Sequence, residues 1–282
     1  MKIIHLSDTH IGKGDNAERT DLVVDDLIRN PPDDLRQCVI VHTGDLIDTG
    51  TPQNRQAGRA RLERLQAAGY RVLLCPGNHD YGGTWDVNNE AATAFKQEFA
   101  PWIFGSEAQE FPVVHLLGDD CALIGLDSNA AELRFPQSCF AEGHLGSTQL
   151  GRLNRLLDRD DLKSRKIVLC LHHHPFYYGY SVMPDVGDGR WLTHLKARLT
   201  RPFRRMKDAY SLCQITRDRV QALLYGHMHE GLDCSTESAM YGIPLALDGG
   251  STTDTEHIHD RLRCRVVDLE TMEHQTRTIR LR

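Results

Sequence analysis

Lys2-Ile3-Ile4-His5-Leu6-Ser7-Asp8-Thr9-His10 reads as a short apolar strand that runs straight into a polar turn. The turn carries a carboxylate and an imidazole two positions apart, and in extended backbone alternate positions share a face. The same grammar recurs four times. Cys38–His42 leads to Gly44-Asp45, the run 72–75 to Gly77-Asn78-His79-Asp80, the run 166–171 to His172-His173-His174-Pro175, and the run 219–225 to Gly226-His227-Met228-His229. A strand end feeding a loop is where an open α/β sheet presents its working groups. Carboxylates, one carboxamide and several imidazoles gathered this way predict an oxygen- and nitrogen-rich nest able to hold two divalent ions.

Between these runs the apolar spacing turns helical. Residues 21–28 show it and stop at Pro31-Pro32; residues 56–68 show it and close on Gly69. Residues 147–158 place Leu150, Leu153, Leu156 and Leu157 on one stripe. Near-continuous apolar strands alternating with helices predict a sheet covered on both faces. Residues 111–117 and 121–127 predict a hairpin that turns at Gly118-Asp119-Asp120 and begins a second sheet. The stretch 239–282 predicts several more strands, with turns at Gly249-Gly250 and near Asp260. Residues 176–218 break the pattern. Glycine, proline and the basic run Arg190, Lys196, Arg198, Arg201, Arg204, Arg205 and Lys207 suggest a lid or substrate-selecting wall, with Phe176, Tyr177, Tyr178, Tyr180 and Trp191 as aromatic contacts.

At 282 residues the chain can bury a large core. Its formal net charge of −6 argues against a surface built for nucleic acid, although cations in a site can still attract phosphate. No charged segment followed by an apolar stretch opens the chain, and no apolar run approaches the ~20 residues that span a bilayer. The eight cysteines are scattered without a C-x-x-C pair, which predicts buried free thiols and a cytoplasmic protein with no membrane partner.

Taken singly, Asp-x-His and Gly-Asp say little. Gly77-Asn78-His79-Asp80 says more: a glycine for an unusual backbone angle, a neutral oxygen ligand and a proton carrier stand in succession. Gly226-His227-Met228-His229 offers two imidazoles at alternate positions. His5 and His42, inside strands, are read as packed or hydrogen-bonded rather than metal-bound.

All five blocks, in this order, resemble the calcineurin-like metallophosphoesterase superfamily, whose pattern is Asp-x-His, Gly-Asp, Gly-Asn-His-Asp/Glu, a later His and Gly-His-x-His. The spacing is similar to the branch of bacterial cyclic-nucleotide and glycerophosphodiester phosphodiesterases, from Met1 to the Thr252 region. The resemblance implies a four-layer α/β/β/α sandwich with two mixed β-sheets, a dinuclear metal site at the sheet ends, and one domain over residues 1–282. It implies Asp8, His10 and His229 on one metal, Asn78, His227 and one histidine of the triplet on the other, and Asp45 bridging both. The family's triplet ligand is usually the His followed by one residue and then Pro, which points to His173, with His172 or His174 supporting it. Manganese, iron or zinc suits such a ligand set.

The chemistry so implied is hydrolysis of a small phosphodiester, such as a cyclic nucleotide or glycerophosphodiester, by a metal-bridging hydroxide, with monoesters also within reach. His79, set beside the leaving group by Asn78, would bind substrate and donate a proton. Asp48 stands where related phosphatases keep an Asp that orients this His, and Asp80 is the other candidate. Two departures narrow the class. Thr49 replaces the phosphate-clamping Arg of protein serine/threonine phosphatases, and no Tyr between Asp45 and Tyr70 can serve as the purple acid phosphatase ligand. A nuclease, favoured only by the basic segment, ranks second, and a non-catalytic interaction scaffold third.

Overall fold

Strand β1 (Lys2–Leu6) lies at the centre of a five-stranded sheet of order β10-β9-β1-β2-β3. Its parallel neighbour β2 (Cys38–His42) pairs Ile3 with Val39 and His5 with Val41, and β3 (Arg71–Leu74) extends the parallel set. The second sheet has the order β4-β5-β6-β7-β8. There β4 (Val113–Leu117) is antiparallel to β5 (Cys121–Gly125), and β6 (Lys166–Cys170), β7 (Ala222–Tyr225) and β8 (Leu245–Asp248) follow in parallel. The predicted hairpin at residues 118–120 is therefore present. The last two strands, β9 (Arg261–Asp268) and β10 (His274–Arg280), return to the first sheet, where β9 pairs antiparallel with β1. Both sheets are mixed. The computed structural model describes residues 1–83, 88–105, 110–129, 142–176, 206–254 and 260–281. Most of the predicted basic lid at 176–218, with Tyr177, Tyr178, Tyr180 and Trp191, lies outside the described residues.

Strand alternation explains the layering. Ile3, Val39, Val41 and Leu73 face Leu123, Val168, Leu224 and Leu247 in an apolar layer between the sheets. Their neighbours Ile4, Leu6, Ile40, Val72 and Leu74 point the other way. They meet Val23, Val24 and Leu27 of α1 (Asn16–Arg29), Leu62 and Leu65 of α2 (Pro52–Ala67) and Phe95 of α3 (Asn89–Glu98). Behind the second sheet, Ala122, Ile124, Ile167, Leu169 and Leu223 pack on Leu150, Leu153 and Leu157 of the helix Gly146–Leu157. The result is the expected four-layer α/β/β/α sandwich. Helices formed where the apolar spacing predicted them, each about one turn longer or shifted by a residue. No helix among the described residues is long and apolar enough to cross a membrane. The seven described cysteines are buried free thiols.

Leu224 is fully buried between the sheets. Leu224→Ala is expected to lower unfolding free energy by about 2–5 kcal/mol through lost transfer energy and the cavity left behind. Urea denaturation measures it, and a loss below about 1 kcal/mol would mean that this layer is not close-packed.

Candidate metal centre

The β1–β2 ladder does not stop where the strands end. Thr43 N–H donates to the Leu6 carbonyl, Asp8 N–H to Gly44, His10 N–H to Asp45, Ile11 N–H to Leu46 and Asp48 N–H to Ile11, each at 3.0 Å. This continued pairing lays the first two motifs side by side. Within it Asp8, His10 and Asp45 adopt left-handed backbone, with φ of 52°, 45° and 52°, and His227 and His229 do likewise at 75° and 61°. Such angles are uncommon outside glycine and cost about 1–3 kcal/mol each, so the surrounding contacts must impose them. They turn the side chains back towards one another.

The donor atoms converge in two sets. His10 Nε2 lies 3.1 Å from His229 Nε2, which lies 3.2 Å from Asp8 Oδ1. His172 Nε2 lies 3.0 Å from Asn78 Oδ1, 3.2 Å from His227 Nδ1 and 3.4 Å from Asp45 Oδ2. Asp45 Oδ2 is also 3.6 Å from His10 Nε2, so this one carboxylate stands between the sets. Its other oxygen accepts the His79 backbone N–H at 2.9 Å.

The pocket calls for positive charge. Burial raises the Asp45 carboxyl, but the imidazoles of His172, His79 and His10 outweigh it and hold it well below the usual carboxylate range. Burial likewise opposes ionised Asp8, yet His229 and His172 bring it down to about 2. His172 answers them: burial disfavours its imidazolium, but Asp45 and Asp8 raise its pKa to about 10. Divalent cations would meet the same demand. The donor set of ring nitrogens, carboxylates and a carboxamide suits borderline metals, and ligand atoms of Asp8, His10 and His229, of Asp8, Asp45 and His172, and of His172, His173 and His227 lie within 4.8 Å of one another in each group.

The histidine triplet divides three ways. β6 ends at Cys170, so strict alternation has lapsed by His172. The Nδ1–H of His172 donates to the Thr43 carbonyl at 2.8 Å, which turns Nε2 towards Asn78 and Asp45. His173, the expected ligand, has its Nδ1 2.8 Å from Ser128 Oγ and its ring 4.5 Å from that of His227. His174 turns away to pack on Tyr225, with ring centroids 4.7 Å apart.

The part-exposed His79 sits at the rim, its ring 4.7 Å from that of His10. Its Nδ1–H donates to the Asp48 backbone carbonyl at 2.8 Å, while the Asp48 carboxylate is closer to His10 Nδ1, at 3.3 Å, than to His79 Nδ1, at 3.8 Å. Asp48 thus steadies His79 through its backbone and His10 through its side chain. Asp80 does neither. It is fully buried and clasps Gly77 N–H at 2.8 Å and Ile47 N–H at 3.0 Å, which ties the second and third motifs together. Burial and the neighbouring Asp45 push its carboxyl well above the usual range.

Sequence reasoning did not single out Asp127. Its Oδ2 accepts from Tyr81 Oη and meets Lys96 Nζ, both at 2.7 Å, and its Oδ1 accepts from Asn129 Nδ2 at 2.8 Å. Asn129 Nδ2 also donates to the Pro76 carbonyl at 3.0 Å, so this cluster props the loop that bears Asn78 and His79. The only available signal was an Asp at the end of a predicted strand.

A fold and a cluster of this kind identify a family. Residues 1–231 match the family model for calcineurin-like phosphoesterases. The chain belongs to the calcineurin-like phosphoesterase family. Membership implies a hydrolase acting on phosphoesters, and the family uses a dinuclear divalent metal site. The chain is 26% identical over 252 residues to a cAMP/cGMP dual specificity phosphodiesterase from Mycobacterium tuberculosis, covering 87% of this chain and 65% of that protein. It is 25% identical over 178 residues to the DNA double-strand break repair protein Mre11 from Sulfolobus acidocaldarius, covering 61% of this chain and 41% of that protein. The chain thus spans less than two thirds of either relative. Among solved structures, a dimetal phosphatase from Danio rerio superposes with a TM-score of 0.58 at 14% identity, covering 100% of this chain and 99% of that one, a likeness of fold.

The phosphoesterase motifs depend on glycine where backbones nearly touch. A Cβ on Gly226 would collide with Ser7 Oγ and the Asp8 carboxylate. Gly226→Ala is therefore expected to destabilise the metal-free protein by about 1–3 kcal/mol. A denaturant midpoint unchanged from wild type would contradict this close approach.

Proposed function

We propose that the protein hydrolyses small phosphodiesters, cyclic nucleotides or glycerophosphodiesters among them, at a pair of divalent cations, with phosphomonoesters as secondary substrates. The observation that supports this is the sharing of Asp45 between two donor sets within one buried pocket. Asp8, His10 and His229 would hold one cation and Asn78, His227 and His172 the other, with Asp45 available to both. His172 takes the role first expected of His173, because its Nε2 is the triplet nitrogen that reaches Asn78 and Asp45. Manganese, iron and zinc all suit these donors. Bound there, such cations would supply charge neutralisation for phosphate oxygens and acidification of a water molecule.

The chain's own residues supply the rest. The Asp48 carbonyl holds the Nδ1–H of His79, which aims Nε2 out of the rim towards an ester oxygen. From there the imidazolium form of His79, protonated at Nε2 as well, would donate that proton to the departing alkoxide and be left as the neutral Nδ1–H imidazole. Asn78, adjacent to it, binds the phosphate side of the substrate. The mycobacterial relative supports the choice of cyclic nucleotides, while the repair-nuclease relative makes short oligonucleotides the alternative substrate. Buried reduced thiols fit a cytoplasmic setting.

A manganese-reconstituted screen of the full chain over cyclic nucleotides, glycerophosphodiesters, bis-p-nitrophenyl phosphate, phosphomonoesters and oligonucleotides tests the reading. No metal-dependent turnover of any of them would refute it. His79→Gln is expected to lower kcat by roughly 10²–10⁴-fold without changing bound metal, as for loss of a general acid. His172→Ala is expected to reduce metal content from two ions to one by elemental analysis, with His173→Ala retaining both. The reverse pattern would restore His173 as the ligand.

A further inference from the structure

Asp8 is tied to a chain of hydroxyls running back into the sheet. Ser7 Oγ donates to Asp8 Oδ2 at 2.5 Å, and Thr43 Oγ1 donates to Ser7 Oγ at 2.8 Å. His5 Nε2 stands 2.9 Å from Thr43 Oγ1. All four residues, Asp8 among them, are completely buried. The polarity of the chain follows from counting protons. A carboxylate ligand only accepts, so the single hydroxyl proton of Ser7 is spent on Asp8. Ser7 must then accept from Thr43, which spends the single proton of that hydroxyl. Thr43 must accept in turn, so His5 donates from Nε2–H. Its Nδ1 is buried and has no hydrogen-bond partner among the described residues.

We propose that His5, Thr43 and Ser7 form a one-way hydrogen-bond relay that sets Asp8 as a single-oxygen metal ligand. They are positioning residues, and the proposal rests on the two-cation reading above. The His227 backbone N–H is shared between the two oxygens, at 3.1 Å from Oδ2 and 3.2 Å from Oδ1, so it is the relay's hydroxyl that distinguishes them: Ser7 occupies Oδ2, while Oδ1 faces His229 Nε2 at 3.2 Å and is left to the cation. Thr43 does a second job with a different atom, since its carbonyl accepts the Nδ1–H of His172 at 2.8 Å. One residue thus orients a ligand of each cation, through its hydroxyl on one side and its backbone on the other. Because Thr43→Val removes only the hydroxyl, the two jobs separate.

The experiment is a manganese titration of the metal-free full chain, with free manganese read by electron paramagnetic resonance. His229→Ala and His172→Ala mark which binding step belongs to which cation. Ser7→Ala is expected to weaken the Asp8 step by roughly 10–100-fold, as for loss of a hydrogen bond behind a metal ligand. Thr43→Val should weaken the same step and leave the His172 step at its wild-type affinity, and Thr43→Ser should restore it. Since Thr43 acts through Ser7, the double variant should bind like Ser7→Ala alone; additive losses would overturn the relay. Nitrogen-15 spectra of His5 in the metal-free protein should show the Nε2–H tautomer, and the Nδ1–H tautomer would overturn the direction of the chain even if Ser7→Ala fails to fold. Wild-type protein that takes up no manganese would sink the two-cation reading and the relay with it. Two ions bound equally well by wild type and Ser7→Ala would sink the relay alone.

Discussion

The site gathers buried carboxylates and imidazoles that are costly to bring together out of water, and the rest of the fold is the means of holding them there. Two carboxylates and a cluster of ring nitrogens face a common centre at separations near 3 Å. Burial works against every charge in this arrangement, and attraction between the carboxylates and His172 is what keeps them ionised against it. What enforces the arrangement is backbone pairing carried beyond the ends of β1 and β2: the left-handed turns at Asp8 and His10 donate their N–H groups to the Gly44 and Asp45 carbonyls, and the same bond fixes Asp45, itself left-handed. The strands themselves are immobilised between two apolar layers, so the turns have no slack in which to relax. Strain at the strand ends is offset by close packing in the middle of the sheets.

A second tier of acids keeps the loops in register without entering the pocket. Asp80 joins the second motif to the third, and Asp127 with Asn129 braces the third from below. The two differ in their surroundings. Asp80 is fully buried beside another carboxylate and is driven towards its neutral form. Asp127 has Lys96 and the Tyr81 hydroxyl on its oxygens. Within the pocket, Asp8 and Asp45 face the imidazoles and are held ionised, which concentrates negative charge at the common centre.

Much of this was legible in the sequence, and the reasons are specific. Apolar runs such as Cys38–His42 are buried on both faces, so they announce strands with little ambiguity. The motifs at their ends were visible because parallel strands must deliver their C-terminal ends to one edge. What could not be read depended on rotation about a few bonds. The triplet is one case, since alternation predicts facing only while the chain remains extended, and the strand stops before His172. Asp48 is another: its carbonyl, not its carboxylate, makes the nearer contact with His79. Asp127 and the hydroxyls of Ser7 and Thr43 were silent because single polar residues at strand ends are commonplace. The return of β9 to β1 was equally hidden, since strand order is a long-range property that local spacing does not encode.

That return gives the molecule a particular history. Ser7 N–H waits for Thr252 Oγ1, a partner 245 residues further along, and β1 acquires its second neighbour only with Arg261–Asp268. A nascent chain that has emitted every residue of the site up to His229 still lacks the strand that flanks the first of them. Contacts of such span form late, after closure of a very long loop. Ordering of the edge that carries Asp8 is therefore deferred until residues 261–268 are available to pair, and a polypeptide that stops short of them is born with that edge frayed.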